Sequence, residues 1–241
     1  MRIVGVIPAR YNSSRMPGKP LADILGMPMI WWVYQQAIKA GCLSDVVVAT
    51  EDVCIYEECL RLNMNAIMTA AHDTPTSRLF EVSTKLDSDL YLMIMGDEPL
   101  IDVRCFSYII PEGKFTSRYV AALTNVMDNP AEVIDFSNQK VVTNAARNAL
   151  MISRSPIPYP KGTLNFQYEK VTGVQIFSKE ALDFFGHAPK STVEKAEEND
   201  LLRFIENGIA VKMIVSPYKT ISVDTLKDLE EVREIIKQRF V

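Results

Sequence analysis

The sequence predicts an α/β fold: a mostly parallel sheet with helices on both faces, carrying a partly antiparallel inserted section. Three observations lead there. Short apolar, β-branched runs alternate with longer amphipathic segments as far as about Pro111. Beyond that point the runs shorten and are separated by turn residues rather than by long helices. The 241 residues, 48% hydrophobic and 23% charged, suffice for a buried core without disulfides or a structural metal.

The elements follow in order. Residues 3–7, Ile-Val-Gly-Val-Ile, read as a buried strand. Residues 29–40 read as a helix closed by Gly41, a residue suited to the position just past a helix end. A second strand lies at 46–49, and Asp52 stands where it can cap a helix reaching about Leu62. Residues 66–69 make a third strand, 77–86 a helix, and 90–95 a fourth strand that stops at Gly96-Asp97. A helix is expected from about Val103 to Ile110. Strand candidates at 119–125, 140–143, 150–153 and 171–177 form the inserted section, taken as about 112–177. Residues 182–185 and 193–206 return to helix, 210–215 to strand, and 226–239 to a last helix rich in Glu and Lys. No linker, repeat or low-complexity tract divides the chain, so one domain over 1–241 is preferred to two. The inserted section's sheet edges, with Val141, Leu150 and Ile152, want cover and suggest a subunit contact.

Composition excludes several classes. With 26 Lys+Arg against 30 Asp+Glu the net charge is −4, too acidic for a whole-surface nucleic-acid binder. No apolar run is long enough to span a membrane, and the first residues meet Pro8 and Arg10 too soon for a signal peptide. Cys42, Cys54, Cys59 and Cys105 form no Cys-x-x-Cys pair, and His72 and His187 alone cannot complete a zinc site of usual spacing. Reduced thiols in a cytoplasmic protein are expected.

The chemistry concentrates in residues 7–21, Ile-Pro-Ala-Arg-Tyr-Asn-Ser-Ser-Arg-Met-Pro-Gly-Lys-Pro-Leu. This stretch leaves the carboxyl end of the first strand, where open α/β sheets bind ligands. Arg10, Arg15 and Lys19, with the hydroxyls of Ser13 and Ser14, offer charge neutralisation and small donors suited to a triphosphate. A solvated basic loop is the alternative. Pro20 follows Gly18-Lys19, so this is not a Walker A loop, and no Gly-x-Gly pair exists for a dinucleotide fingerprint.

Residues 7–21 closely resemble the opening motif of the CMP-Kdo synthetases, the 3-deoxy-manno-octulosonate cytidylyltransferases. Further matches run in the family's order: Gly26-Met27-Pro28-Met29-Ile30, Val48-Ala49-Thr50, Gly96-Asp97-Glu98-Pro99, Lys140-Val141-Val142, Ser153-Arg154 before Ile157-Pro158, and Val223-Asp224-Thr225. The resemblance implies a Rossmann-like nucleotidyltransferase fold. It also implies a Mg²⁺-dependent reaction in which a 2-keto-3-deoxy sugar acid attacks the α-phosphorus of CTP and pyrophosphate leaves. Asp97 and Asp224 would hold the Mg²⁺ and, with Lys19, make the catalytic set. Ala9, Arg10, Ser14, Arg15, Lys19 and Arg78 would meet the nucleotide. Arg154, Gln175 and Glu197 are the acceptor candidates, with Arg154 suited to pair a carboxylate. A homodimer is implied as well.

Each carries a plainer alternative: Asp224 as an N-cap of the last helix, Asp97 as a turn residue, Arg154 in a surface salt bridge, and Glu197 with Asp200 as solvated charge on one helix face. The family pattern is broken at Met27, at Pro75 and Ser77 before Arg78, and at Met95, Val171 and Gln175, which replace Gln, His and Tyr. Those last three changes narrow the expectation to an acidic acceptor that need not be Kdo. Rival readings are a sugar-1-phosphate nucleotidyltransferase using another base and a catalytically silent nucleotide-binding relative.

Overall fold

The computed structural model of the chain describes residues 1–13, 15–163 and 165–240. A strand covered on both faces buries every side chain, and β1 (Ile3–Ala9) does so, with Ile3 and Ile7 on one face and Val4 and Val6 on the other. A 3-10 turn at Lys19–Leu21 and a small hairpin, β2 (Asp23–Ile24) and β3 (Met27–Pro28), precede α1 (Met29–Ala37). The alternation continues through β4 (Asp45–Thr50), α2 (Val53–Arg61), β5 (Ala66–Met68), α3 (Pro75–Lys85) and β6 (Leu90–Ile94). Then come a 3-10 turn at Val103–Cys105, α4 (Phe106–Ile109), β7 (Val120–Val126), α5 (Pro130–Ile134), β8 (Lys140–Thr143), β9 (Ala149–Ser153) and β10 (Glu169–Ser178). The chain continues with α6 (Lys179–His187), α7 (Thr192–Glu197), α8 (Leu201–Glu206), β11 (Val211–Val215) and α9 (Leu226–Phe240).

The main sheet runs β11-β7-β10-β6-β1-β4-β5. Parallel pairs join β1 to β4 and β6, β4 to β5, and β7 to β11; β10 runs antiparallel between β6 and β7. One core lies between the sheet and α1, α2 and α4, through Val33, Ile55 and Phe106. The other lies under α3, α6 and α8, through Leu79, Phe185 and Phe204. A third cluster sets Leu229, Val232 and Ile236 of α9 against Ile24, Met29 and Val223.

The middle of the chain departs from the expected insertion. β7 and β10 belong to the body of the sheet, because the apolar second half of β10 pairs on both sides, with β6 and β7. Only the β8–β9 hairpin projects, joined to β10 through Glu169 and Lys170. Val141 and Ile152 are buried in the chain's own core, and of the three expected to want cover Leu150 alone is exposed, at 60%. The helix expected over 193–206 is two: Glu198 takes φ 50°, and Asn199 Oδ1 accepts the Leu201 N–H, which starts α8. α1 stops at Ala37, where a turn from Ala37 O to Ala40 N–H replaces the helical ladder, so Gly41 does not close it. The helix expected over 103–110 divides into its 3-10 turn and α4, with Asp102 Oδ1 accepting the Arg104 N–H.

Candidate active site

Three segments from distant parts of the chain meet at the carboxyl rim of the sheet. The first is the basic loop after β1. Tyr11 O accepts the Ser13 and Gly18 N–H groups, and the Tyr11 N–H donates to Asp52 Oδ2 at 2.6 Å, which ties the loop to the end of β4. Asp52 thus sits at the N-cap of α2 but spends its carboxylate on the loop. Gly18, at φ 73°, starts the 3-10 turn that presents Lys19; a side chain there would be strained. The second segment is Gly96-Asp97-Glu98 after β6. The third is 221–225, anchored by Val223, which is fully buried against α9.

Lys19 joins all three. Its ammonium donates to Asp97 Oδ2 at 2.7 Å, to Val223 O at 2.9 Å and to Asp224 Oδ1 at 3.4 Å. Both carboxylate oxygens lie on one nitrogen, which caps their separation at about 6 Å. The Arg15 guanidinium reaches Asp224 Oδ1 at 2.8 Å from a half-exposed side chain. The Val223 N–H donates to Asp97 O at 2.8 Å, locking the two acid-bearing segments together. Asp224 does not cap α9: Thr225 and Asp228 exchange those hydrogen bonds, and Asp228 Oδ2 accepts the Asp224 and Thr225 N–H groups. That frees the Asp224 carboxylate for the cleft.

Beside this cluster opens a cleft of ≈ 500 Å³, lined by Arg15, Asp224 and Asp228 together with residues 137–139 and 170–173. Its floor holds Glu98, only 2% exposed. Glu98 Oε1 accepts the Gly173 N–H at 3.1 Å and the Ser222 hydroxyl at 3.3 Å, while Oε2 is buried without a hydrogen bond. Burial, reinforced by the neighbouring Asp97 charge, pushes its carboxyl up to about 8. Gly173 is required here because a Cβ would lie 2.6 Å from Glu98 Oε1 and 2.8 Å from Met95 Cβ. Glu98 escaped the sequence reading as a site residue. Its neighbours Gly96, Asp97 and Pro99 marked the turn, but nothing local signalled that its carboxylate would be sealed under strand β10.

Other candidates are distributed around this centre. Ala9 ends β1, and Arg10 is exposed beyond it. Ser14 lies outside the described residues. Arg78 stands at the same rim beside the ends of β4 and β5; it is 3% exposed, paired with the Glu51 carboxylate and donating to Thr69 Oγ1 at 2.5 Å. Pro75 falls in the first turn of α3, where its missing N–H costs the helix nothing, and Ser77 completes a capping box with Thr74. Gln175 lies on β10 opposite Met93, its Oε1 buried without a hydrogen bond. Arg154 Nε donates to Glu197 O at 3.0 Å, and its NH1 to Phe136 O at 3.2 Å. The Glu197 carboxylate accepts from the Ser153 hydroxyl and the Arg154 N–H, so both of its oxygens are held by this chain's own donors. Arg154 and Glu197 therefore meet each other, and neither touches the Lys19 cluster.

Residues 4–234 match the family model described as Cytidylyltransferase. The chain belongs to the cytidylyltransferase family. It is 37% identical over 238 residues to the 3-deoxy-manno-octulosonate cytidylyltransferase of Escherichia coli, covering 98% of this chain and 97% of that one. It is 38% identical over 248 residues to the protein of the same name from Syntrophobacter fumaroxidans, covering 99% and 98%. A solved CMP:2-keto-3-deoxy-manno-octonic acid synthetase complexed with CTP matches with a TM-score of 0.90 at 36% identity over 100% of both chains. A putative glucose-1-phosphate thymidylyltransferase from Bacillus anthracis, 15% identical with a TM-score of 0.67 over 97% and 94%, shares the fold alone. This cytidylyltransferase is thus a nucleotidyltransferase whose acid and cation cluster sits where its sheet opens.

Proposed function

We propose that the protein transfers CMP from CTP to a 2-keto-3-deoxy sugar acid, Kdo or a close relative, with release of pyrophosphate. The observation that carries this is the convergence of Asp97 and Asp224 on Lys19 beside an open cleft. Similarity in the same direction comes from relatives named for Kdo and from a neighbour solved with CTP. In this reading Arg10, Arg15 and Lys19 supply positive charge for the triphosphate, and Ala9, the last residue of β1, meets the base. The sugar acid occupies the part of the cleft lined by 137–139 and 170–173, and its anomeric hydroxyl attacks the α-phosphorus in line with the departing pyrophosphate. Val171, on the same wall, departs from the family pattern together with Met95, which follows β6, and Gln175 on β10, and this supports an acidic acceptor that need not be Kdo itself.

The donor set fits Mg²⁺. Two carboxylates within reach of one cation offer hard oxygen ligands. Among the described residues no group of three His, Cys, Asp or Glu gathers, so the remaining ligands would be phosphate and water oxygens, as Mg²⁺ prefers. Asp97 and Asp224 would hold the ion, which when bound supplies charge neutralisation and polarises the phosphoryl oxygen. Lys19 meanwhile keeps the two acids in register and offers its ammonium to the leaving phosphates.

Pyrophosphate release should be followed with CTP, Mg²⁺ and a panel of ulosonic acids. Release that requires both CTP and an acid supports the reading; CTP binding without release from any acid contradicts it and favours a silent relative. Kdo turnover as fast as any other acceptor removes the altered specificity. Thermal shift with all four nucleoside triphosphates should favour CTP. We further propose a cytoplasmic homodimer joined through the middle section, where Ile134, Phe136, Leu150 and Tyr159 are 60–85% exposed. Light scattering that gives a monomer mass would contradict it.

A further inference from the structure

The motif Lys140-Val141-Val142 has no part in the site described so far, yet its lysine is fully buried and bonded to a segment that lines the cleft. Lys140 opens β8 and is 0% exposed. Its ammonium has three N–H bonds and three acceptors, all backbone carbonyls: Asp135 at 2.9 Å, Asn138 at 2.7 Å and Arg154. Among the described residues no carboxylate pairs with it. Burial pushes its pKa down from the ordinary lysine value, with the nearby Asp135 and Glu197 charges opposing that.

The three carbonyls come from two segments. One is 135–139, which supplies Asp135, Ser137, Asn138 and Gln139 to the cleft. The other is the end of β9, where Arg154 in turn donates to Phe136 O within the first segment. A fixed positive charge surrounded by neutral oxygens is a tethered version of a monovalent-cation site. Without it, the Asn138 and Arg154 carbonyls would lose this part-buried donor, and the Asp135 carbonyl would be left with the Asn138 N–H at 3.3 Å.

We infer that Lys140 is a positioning residue for the acceptor: its ammonium, held by the carbonyls of Asp135, Asn138 and Arg154, shapes the cleft wall at 135–139 and sets Arg154. The inference rests on the proposed occupancy of that wall by the sugar acid. The nucleotide-facing groups lie on other segments and are not tied to Lys140.

Lys140→Ala removes three carbons and the ammonium, a gap of the size of propylammonium. Amide exchange over 135–139 should quicken, and the acceptor KM should rise, each by about tenfold or more, the equivalent of one lost charge-assisted hydrogen bond. The CTP KM should stay within about twofold. Propylammonium chloride should restore both, and tetramethylammonium chloride, which has no N–H, should restore neither. Lys140→Met, which keeps the apolar stem, should share the defects without rescue, and it serves if the alanine variant does not fold. Native exchange over 135–139 in a folded variant overturns the inference, as does a defect falling equally on CTP, or failure of propylammonium to act on folded Lys140→Ala. If the wild type turns over no acid, the proposed function fails, while the exchange measurement still decides the role of Lys140.

Discussion

Replacing Glu98 with glutamine should stabilise the folded chain, and by an amount that grows with pH. The carboxyl is sealed beneath β10 and stays protonated up to about pH 8, against 4.5 when free. Below pH 4.5 both the folded and the unfolded chain hold the proton, and the group has no effect. Between 4.5 and 8 the unfolded chain has released a proton that the folded chain keeps. Stability therefore falls by about 1.4 kcal/mol for each pH unit and levels off above pH 8, after a total loss of about 5 kcal/mol. At pH 7 the accumulated loss is about 3 kcal/mol. Glutamine keeps the shape of the neutral acid and its acceptor oxygen for Gly173 and Ser222, but it does not titrate. Urea unfolding of both chains in EDTA at several pH values between 5 and 7.5 measures the difference directly. A Glu98→Gln advantage that rises by about 1.4 kcal/mol per unit is expected. A difference that stays constant over that range would refute the buried neutral acid.

Asp97→Asn and Asp224→Asn should each keep the far-ultraviolet circular dichroism of the wild type while pyrophosphate release falls by about 10²–10³, the scale of losing one electrostatic contact to the reacting phosphate. Gly173→Ala should lower stability by about 1–3 kcal/mol in thermal unfolding, because the new methyl would meet Glu98 Oε1 at 2.6 Å. Arg203→Met should cost about 3–5 kcal/mol by urea unfolding. It strands Glu194, 3% exposed, and removes the guanidinium from carbonyls of Phe185 and Ala188.

The parallel half of the fold was legible because each strand there is a continuous apolar run and each helix keeps one face. Residues 46–49 and 90–95 could be little else, and β4 and β6 fall there. The antiparallel middle was harder. β10 starts with Glu-Lys-Val-Thr and ends with Val-Gln-Ile-Phe-Ser, so 171–177 read as a strand of an inserted section although β10 runs through the body of the sheet. Local sequence carries no record of which strands will flank it. Lys19 was legible as one of three cations in the loop after β1. By local pattern alone Asp97 and Asp224 read as a turn residue and an N-cap, while through the family resemblance they were legible as chemistry. Their meeting on one nitrogen was not, since it depends on α9 pulling Val223 against Ile24 and Met29 from the far end of the chain. Glu98 and Lys140 were missed for a shared reason. A charged residue is read as solvated until tertiary structure covers it, and here β10 covers one and the β8–β9 hairpin the other.

We propose that Asp97 and Asp224 act as one unit on the triphosphate. A double-mutant cycle on kcat/KM for pyrophosphate release, using Asp97→Asn, Asp224→Asn and the pair, tests this most directly. The double variant should be about as slow as the slower single, since either change alone dismantles the shared site. Two defects that simply multiply would contradict it and assign the acids to separate tasks.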